Sequence, residues 1–279
     1  MAKTQKSSEA ISQFKVEVWD FYKKNKRSFP WRKTKDPYKI LVSEVMLQQT
    51  QVLRVVAFYQ KWIKRFPNIK TLAEAKFSQI YPFWQGLGYN RRAQALQKTA
   101  QKVVKEFGGK LPPDIATLEK LPGIGLYTAR AVSIFSFNTP IACIETNIRR
   151  VFIHEFFPKK KFVSDAEILK LADQALPEGK ACEWHWALMD YGAYLRSNPP
   201  AGGPNPNRRH KNYRIQSKFE GSFRQIRGTV LRNLVDKKMT AVKLAKIIGK
   251  DKKKTNTAIS ALEKEGSIKQ RKKVYFLPS

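Results

Sequence analysis

The sequence predicts a mainly α-helical protein with a small, basic winged helix-turn-helix-like unit in its C-terminal part. Apolar residues recur every three or four positions through residues 11–193, as in helices that bury one face, and strand-like alternation is almost absent there. The 54 Lys and Arg residues outnumber the 22 Asp and Glu residues, which gives a formal net charge of +32. Because this excess repels itself in a compact chain, it indicates a polyanionic partner, most simply nucleic acid. A thermophile-type charged surface is the alternative, but such surfaces usually balance Lys with Glu.

Pro and Gly residues divide the helical part into segments. Residues 1–10 are polar and predict a flexible N-terminus, whereas residues 11–197 predict the helical body. Its first helix is expected to begin at Ile11. Further helices are predicted over residues 40–55, 73–84, 91–107, 115–120, 128–137, 165–174 and 184–194.

The composition changes after the helical body. Residues 198–221 are rich in Pro, Gly and Asn and predict a loop or linker. Residues 222–279 are strongly basic, with three predicted helices followed by a two-stranded ribbon, the order of a winged helix. The helices are predicted over residues 223–235, 240–248 and 255–265, with Thr240 as the N-cap of the second, and the ribbon over 267–277. A three-helix appendage of another kind is the alternative.

The sequence also indicates in which cellular compartment the protein is expected. No apolar run approaches the roughly 20 residues of a membrane-spanning helix, and no signal-peptide pattern is present. The two cysteines, Cys143 and Cys182, are expected to be reduced thiols. We therefore expect a cytoplasmic protein, associated with the nucleoid if it is bacterial or archaeal, with no membrane partner.

The sharpest short motif is LPGIG at residues 121–125, followed by LYTA. Two glycines around one apolar residue favour a tight turn with outward-facing N–H groups, and the next helix adds its positive end, so the turn predicts a phosphate site. Without side chains at the glycines, a nucleic-acid backbone can approach closely. The alternative is a plain turn between helices. The predicted contacts are Leu121, Gly123, Ile124, Gly125 and Thr128.

Four motifs occur in a characteristic order: SEVMLQQTQV, GLGYNRRA, LPGIGLYTA and ALMDYGA. Together they resemble the helix-hairpin-helix (HhH-GPD) DNA glycosylases, in particular the A/G-specific adenine glycosylase (MutY-like) branch. Thymine mismatch glycosylases share much of this pattern. The resemblance covers roughly residues 29–195. It implies an all-α body of two subdomains with the active site in the cleft between them.

Base excision explains why two carboxyl groups are of interest. The base is flipped out of the duplex, and the glycosidic bond breaks through an oxocarbenium-like sugar. One carboxyl group can protonate the departing base while the other stabilises the sugar cation. Glu44 lies on a mostly apolar predicted helix, where a raised pKa would suit a general acid. The resemblance makes Glu44 the acid that protonates a purine; an ion pair with Arg32 is the alternative.

Glu145 is the candidate for the second carboxyl group. The family has an Asp here, in the pattern D-x-N-x-x-R-V, and this chain has a Glu, one methylene longer, with Asn147 and Arg150 keeping the pattern. The alternative is a surface Glu that pairs with Arg149. By resemblance, Asn147 belongs to the base pocket and Arg150 to the DNA-binding residues.

Tyr127 occupies a position that, by resemblance, helps to place the sugar and the leaving base. Bifunctional relatives have a Lys there, whose amine forms a Schiff base and cleaves the strand. Tyrosine cannot form this imine. The sequence therefore predicts a monofunctional enzyme that stops at the abasic site.

The resemblance also implies contacts with DNA. Gln48 or Gln49 is expected to enter the minor groove and fill the gap left by the flipped base. Tyr89 is expected to open the stack beside the opposite base, with core packing as the alternative. Arg91 and Arg92 are expected to contact phosphates. Trp31 and Arg32 are expected to line the base pocket.

Two features depart from the adenine-specific branch. Its members usually hold an iron–sulfur cluster on four cysteines after the glycosylase body, but residues 194–209 contain none here. We therefore expect no 4Fe-4S cluster, no other cofactor and no side-chain metal site, with residues 198–221 replacing the cluster loop. A monovalent cation lies at the hairpin in relatives; such a site uses backbone carbonyls, so residue types do not decide it. The family commonly adds a Nudix-like domain that checks for 8-oxoguanine, where this sequence predicts the winged-helix unit.

The combined prediction is a base-excision repair enzyme that acts as a monomer on double-stranded DNA. It would hydrolyse the N-glycosidic bond of a flipped mispaired or damaged base, with adenine opposite 8-oxoguanine or guanine the first choice. Excision of thymine, uracil or another modified base is the second hypothesis. The third is a non-catalytic DNA-binding protein on a glycosylase scaffold, against which the presence of Glu44, Tyr127 and Glu145 argues.

Overall fold

The computed structural model describes residues 2–199, 203–215, 218–235, 237–249 and 252–278, and it describes side chains from residue 9 onward. Parts of the predicted loop, residues 200–202 and 216–217, therefore lie outside the described residues. The described chain is mainly helical, so the predicted fold class is confirmed. None of its helices is both long enough and apolar enough to cross a membrane.

Eleven helices of the described chain precede residue 200. They are α1 (Ala2–Asn25), α2 (Pro37–Leu47), α3 (Val52–Arg65), α4 (Ile69–Glu74), α5 (Phe77–Trp84), α6 (Arg91–Phe107), α7 (Ile115–Glu119), α8 (Leu126–Phe137), α9 (Thr146–Phe156), α10 (Asp165–Ala175) and α11 (Ala181–Ser197). Short 3-10 helices occur at Pro30–Lys33 and Pro206–Arg209.

Several helices differ from the prediction. The first begins at Ala2 rather than Ile11, because residues 2–10 contain no Pro or Gly to stop it. The segment predicted as one helix over residues 73–84 belongs to two helices, α4 and α5. They are separated by Ala75 and Lys76, both of which have an extended backbone. The sequence reading missed α9, although Ile148, Val151 and Phe152 have helical spacing and are buried.

The single helix predicted over residues 40–55 is also wrong. α2 ends at Leu47, and α3 begins at Val52. Between them Gln49 has a φ of 54°, in the left-handed region, so the helix cannot continue through it. The guanidinium of Arg92 donates to the carbonyls of Val45, Met46 and Gln48. Arg92 thus satisfies carbonyls that the end of a helix leaves without intrahelical partners.

The chain forms two compact units, of which the first comprises Met1–Pro37, Pro113–Ala116 and Gly125–Ile215. Its core is aromatic: the Phe14 ring lies 5.4 Å from Phe152 and 5.9 Å from Trp184, between ring centroids. α9 packs closely on α11 at Gly192, where a Cβ atom would clash with the backbone of Asn147. Only glycine allows this approach.

The second unit comprises Tyr38–Pro112, Thr117–Ile124 and Gln216–Ser279. Its core contains Trp62 and Trp84, whose rings lie 5.5 Å apart. The described C-terminal residues pack on α5 and α6, since the Ser267 hydroxyl donates to Gln94 at 3.0 Å and the Ser78 N–H donates to the Pro278 carbonyl at 3.2 Å. Residues 222–279, expected as a winged-helix-like unit, thus belong to the same compact unit as residues 38–112 and 117–124.

The C-terminal part has the topology of a winged helix. Its elements are, in chain order, α12 (Phe223–Asn233), β1 (Met239–Thr240), α13 (Ala241–Ile248), α14 (Lys252–Lys264), β2 (Lys269–Arg271) and β3 (Val274–Phe276). The strands form an antiparallel sheet in the order β1-β3-β2, with Thr240 opposite Val274 and Gln270 opposite Tyr275. Thr240 caps α13, as predicted, by accepting a hydrogen bond from the Lys243 N–H at 3.3 Å. The short β1 was not predicted.

Candidate functional site

Glu44 lies in the second unit, on the most apolar part of α2. It is 6% exposed, and its neighbours Leu41, Val42 and Val45 are buried as well. The helix thus places a buried acid beside the loop that carries Gln48 and Gln49.

Glu145 lies in the first unit, where it is the N-cap of α9. Its Oε1 accepts hydrogen bonds from the N–H groups of Asn147 at 2.7 Å and Ile148 at 2.9 Å. Burial raises the pKa of the Glu145 carboxyl, while these N–H groups and the charge of Arg150 act in the opposite direction. The pair with Arg149, considered as an alternative, is not present, since Arg149 binds both oxygens of Asp165 at 2.7 and 2.9 Å.

Arg150 supports Glu145 through Asn147. Its Nη1 donates to Asn147 Oδ1 at 2.8 Å, and Asn147 Nδ2 donates to Glu145 Oε2 at 3.2 Å. Arg150 is only 2% exposed and also binds the Gly192 carbonyl. The buried side chain of Arg150 is therefore not exposed for the DNA contact that the sequence predicted. Asn147, expected in the base pocket, is the link between Arg150 and the carboxyl group.

The loop after α11 is joined to the same group of residues. Asn205 Oδ1 accepts from Arg150 Nε at 3.1 Å, and Asn207 Nδ2 donates to the Thr146 carbonyl at 2.9 Å. Arg209 binds the carbonyls of Phe157 and Pro158. The sequence reading did not single out these three side chains, although Asn is frequent in turns and caps.

The side chains present do not fit a four-cysteine cluster. Cys143 and Cys182 are both buried, and neither forms a disulfide. Within the described ranges, no group of three or more His, Cys, Asp or Glu side chains could hold a metal ion. Asparagine and arginine side chains, rather than cysteines, hold the described part of the loop in place.

The hairpin consists of a buried part and an exposed part. Leu121 and Ile124 are buried, and the Ile124 N–H donates to the Leu121 carbonyl at 3.1 Å. Thr128, in the first turns of α8, is buried as well. The side chains of Leu121, Ile124 and Thr128 therefore anchor their segments, and the DNA contacts expected at these residues stay a prediction. The two glycines of the hairpin, Gly123 and Gly125, are exposed.

The two glycine positions differ in whether the backbone and the surrounding atoms would accept a larger residue. Gly123 has a φ of 76°, and a Cβ there would lie 2.5 Å from the Cβ of Ala95. Gly125, the N-cap of α8, has an ordinary φ of −96°, and a Cβ there would meet no atom within 4 Å. The fold needs glycine at position 123, whereas at position 125 glycine only leaves open space.

Tyr127 and the PWR motif belong to the first unit. Tyr127 is half-buried in the first turn of α8. Trp31 is buried and stacks on Phe29 at 5.2 Å. Arg32 forms a two-pronged ion pair with Asp190, at 2.9 and 2.8 Å. Asp190, in the ALMDYGA motif, was not singled out from the sequence, yet it holds Arg32.

Arg91 and Arg92 are neighbours with different roles. Arg91 is exposed on α6, as a phosphate contact requires. Arg92 is half-buried and makes six hydrogen bonds, all to acceptors in the segments 45–50 and 87–88. Burial lowers the pKa of Arg92 to about 10, so it stays charged at neutral pH. Arg92 thus holds the loop that carries Gln48 and Gln49, and the phosphate contact expected for it stays a prediction.

An open groove of about 790 Å³ lies within the second unit. The predicted DNA-contacting residues Gln48, Gln49, Tyr89 and Arg91 line it, together with Pro122, Gly123 and Ile124 of the hairpin. Arg92 also lines the groove, as do Phe223, Arg224, Arg227 and Glu265 of the winged-helix part. The contribution of the C-terminal residues could not be seen in the sequence, because they lie more than 90 residues from the hairpin.

Comparison with known proteins places this geometry in a family. Residues 42–178 match the model of the HhH-GPD superfamily base excision DNA repair protein. The adenine DNA glycosylase of Mycolicibacterium smegmatis is 32% identical over 271 residues, which cover 91% of this chain and 92% of the relative. The chain belongs to the HhH-GPD superfamily.

Other relatives are longer. The adenine DNA glycosylase of Buchnera aphidicola is 40% identical over 178 residues, and that of human is 34% identical over 196 residues. The matched part covers 62% of this HhH-GPD chain but 50% of the Buchnera protein, and 66% of the chain but 36% of the human protein. The chain therefore spans half or less of these two relatives.

Solved structures agree on the fold. A thermostable thymine-DNA glycosylase matches with a TM-score of 0.61 and 26% identity, over 69% of this chain and 90% of its own. Endonuclease III, in a trapped covalent complex with DNA, matches with a TM-score of 0.58 over 67% of this chain and 86% of its own. Since the second match has 19% identity, it supports the HhH-GPD fold alone.

Proposed function

We propose that the protein is a monofunctional adenine DNA glycosylase of base-excision repair. It hydrolyses the N-glycosidic bond of a flipped adenine opposite 8-oxoguanine or guanine. The observation that carries the proposal is the buried carboxyl group of Glu44, within the motif that resembles the adenine-excising branch. The similarity to the mycobacterial adenine DNA glycosylase over 92% of that protein supports it.

Two carboxyl groups and a tyrosine perform the chemistry in this proposal. Glu44 gives its proton to a ring nitrogen of adenine, so that the base leaves with the electron pair of the glycosidic bond. The Glu145 carboxylate stabilises the positive charge left on the sugar until water adds to C1′ and loses a proton. Tyr127 helps to place the sugar and has no amine for an imine, so the DNA strand stays intact. Trp31, Arg32 and Asn147 are the proposed pocket residues.

Double-stranded DNA is the proposed partner, bound by a monomer in the cytoplasm or nucleoid. The net charge of +32 favours binding to phosphates. Gly123 and Gly125 let a phosphate approach the hairpin, and Arg91 supplies a positive charge beside it. Gln48, Gln49 and Tyr89 are the proposed wedge residues. Exposed Lys and Arg residues of the wing add phosphate contacts: Lys269, Arg271, Lys272 and Lys273.

The enzyme is proposed to work without an iron–sulfur cluster. Two cysteines cannot supply four thiolates, and Asn205 and Asn207 hold the described loop by hydrogen bonds instead. A monovalent cation bound by hairpin carbonyls is a proposal from the resemblance only.

The proposal is tested by base release from a panel of duplexes. The panel has adenine opposite 8-oxoguanine, guanine or cytosine, thymine or uracil opposite guanine, and hypoxanthine, each with and without alkali. We expect alkali-dependent cleavage at adenine opposite 8-oxoguanine or guanine, and intact strands without alkali. Release of thymine opposite guanine alone would favour a thymine-specific enzyme, the activity named for the neighbour with a TM-score of 0.61. Tight binding without release of any base would favour the non-catalytic hypothesis.

A further inference from the structure

The wing, which consists of β2, β3 and the turn between them, ends in two lysines. Arg271 pairs with Val274 across the two strands, so Lys272 and Lys273 form the whole turn. Their φ angles are 49° and 61°, both in the left-handed region. A two-residue turn with positive φ at both positions favours Asn-Gly, because most L residues bring Cβ too close to the backbone there. The backbone of this turn therefore disfavours lysine at both positions.

The strained turn also concentrates positive charge. Four of residues 269–273 are Lys or Arg, and all four side chains are exposed. Like charges this close repel one another, which adds to the cost of the backbone conformation. Strain that the fold does not require points to function, and an anion beside the turn would offset the repulsion.

The rest of the winged-helix part has the same charge. From α12 to β3, over the described residues 223–235, 237–249 and 252–276, Lys and Arg side chains are exposed and no Asp or Glu side chain is. The exposed cations are Arg232, Lys237, Lys238, Lys243, Lys246, Lys252, Lys253, Lys254, Lys264, Lys269, Arg271, Lys272 and Lys273. A surface with one sign of charge selects a partner with the opposite sign, and DNA is the polyanion of the proposed function.

α14 presents a polar face to solvent. Its buried side, which packs on α12 and α13, comprises Thr255, Ala258, Ile259 and Leu262. The opposite side is exposed and comprises Asn256, Thr257, Ser260 and Lys264. These side chains are polar and none is acidic, so the face does not repel phosphates.

The wing and this face of α14 lie outside the groove of the proposed wedge residues. Among the described residues, Glu265 after the end of α14 lines the groove, whereas Lys264, Lys272 and Lys273 do not. DNA that reaches the wing is therefore not the extruded nucleotide or its immediate surroundings. It is duplex on one side of the lesion.

We propose that the winged-helix part is a second DNA-binding site, which holds double-stranded DNA independently of a lesion. Lys272 and Lys273 bind phosphates of the flanking duplex, and the exposed face of α14 lies against the same duplex. The inference rests on the proposed function for its partner, double-stranded DNA, but not for the identity of the excised base. The strained turn thus serves binding at the expense of stability.

The decisive variant is Lys272→Asn/Lys273→Gly, which gives the turn the residues that its backbone favours. It should unfold at a temperature about 2 °C above that of the wild type, because two residues no longer adopt a disfavoured φ. It should nevertheless bind DNA at least about tenfold more weakly in 0.1 M salt, since two phosphate contacts are lost. The slope of log affinity against log salt concentration should become shallower by about two. Thermal unfolding and fluorescence anisotropy of the full chain supply both readouts.

The choice of duplexes separates this site from the lesion. One duplex is undamaged, and a second has a tetrahydrofuran abasic analogue at its centre. The variant should lose the same factor of affinity for both, because the contact does not involve the flipped base. Two further abasic duplexes are shortened on the 5′ or the 3′ side of the analogue. Only one of these changes should remove the difference between the wild type and the variant, since the lesion strand fixes the orientation of the protein.

Ser260→Glu tests the face of α14. It adds a negative charge to the exposed side and leaves the buried side unchanged, so it should weaken binding to both full-length duplexes by roughly three- to tenfold. Ser260→Ala, which adds no charge, should bind as the wild type does. Wild-type affinity of Ser260→Glu would remove α14 from the proposed site.

The control for the wing is Lys105→Gln/Arg232→Gln. It removes two exposed charges of the same compact unit, one on α6 and one on α12, and should keep the wild-type affinity and salt dependence. An equal loss in this control and in the wing variant would show that only net charge matters and would overturn the proposal. A wing variant with unchanged affinity, or one that weakens binding to the abasic duplex alone, would overturn it as well. Because none of these measurements needs base release, a protein that fails the base-release panel but shows the expected binding would refute only the proposed activity.

Discussion

Arg150 and Glu145 are linked by one side chain: Asn147 accepts from the Arg150 guanidinium at 2.8 Å and donates to the Glu145 carboxyl at 3.2 Å. A buried arginine thus sets the orientation of the proposed anion without touching it. The loop after α11 reaches the same arginine through Asn205. The position of Glu145 therefore depends on three segments of the first unit.

This link predicts the effect of Asn147→Ala. The variant removes one hydrogen bond to the carboxyl group and one acceptor of the buried guanidinium. Because hydrogen bonds to charged groups contribute about 1.5–3 kcal/mol, we expect single-turnover base release to slow by roughly 10- to 150-fold. DNA affinity, measured by anisotropy, should change by less than about threefold. A variant with full activity would show that Glu145 is held well enough by the α9 N–H groups alone.

Glu145→Gln separates charge from shape. The amide oxygen of Gln can still accept from the N–H groups of Asn147 and Ile148, so α9 should keep its cap. Without the negative charge, base release should fall by at least about 100-fold, the usual cost of removing one transition-state contact. Binding to a duplex with an abasic analogue should persist. Glu119→Gln, an exposed change at the end of α7, is the control and should leave the rate unchanged.

The hairpin glycines predict opposite outcomes for the same substitution. Gly123→Ala places a Cβ 2.5 Å from Ala95 at a φ of 76°, so it should lower the free energy of unfolding by about 1–3 kcal/mol. Gly125→Ala meets no atom within 4 Å and should leave stability within about 0.5 kcal/mol of the wild type. It should nevertheless weaken DNA binding, because the methyl group occupies the proposed phosphate approach. Wild-type affinity for Gly125→Ala would refute that approach; thermal unfolding and anisotropy supply both readouts.

His185 predicts a pH dependence of stability. Its ring is buried, its Nε2 accepts from the Cys143 N–H at 3.1 Å, and burial lowers its pKa from 6.5 to about 4. Between pH 6.5 and 4 the unfolded chain binds a proton that the folded chain does not. The stability contributed by neutral His185 is therefore complete above pH 6.5 and is lost as the pH falls toward 4.

Urea unfolding of the wild type and of His185→Gln at pH 7.5 and pH 5 measures the contribution of neutral His185 to stability. The difference in unfolding free energy between the two proteins should shrink by about 2 kcal/mol at the lower pH, which is 1.5 pH units below the pKa of the unfolded chain. The variant is the reference because other groups titrate equally in both proteins. A difference that is the same at both pH values would show that the folded pKa is not lowered.

The sequence by itself determined the helical class, the limits of α6, the cap at Thr240 and the winged-helix order of the C-terminal part. It also identified the motifs of the HhH-GPD family, because these depend on residue types and spacing along the chain. Such signals are local, and local structure follows from hydrophobic period, capping and turn residues.

Only the tertiary structure decided which charged side chains are exposed to solvent. Arg91 and Arg92 are identical and adjacent, yet Arg91 is exposed, whereas Arg92 is half-buried and bonded to carbonyls of residues 45–48 and 87–88. Arg150 is buried, against Gly192 and Asn205. Backbone carbonyls have no signature in residue identity, and partners more than 40 residues away have none in spacing. For the same reason, the contact between Arg224 and Tyr89, 135 residues apart, is a property of the fold and not of any motif.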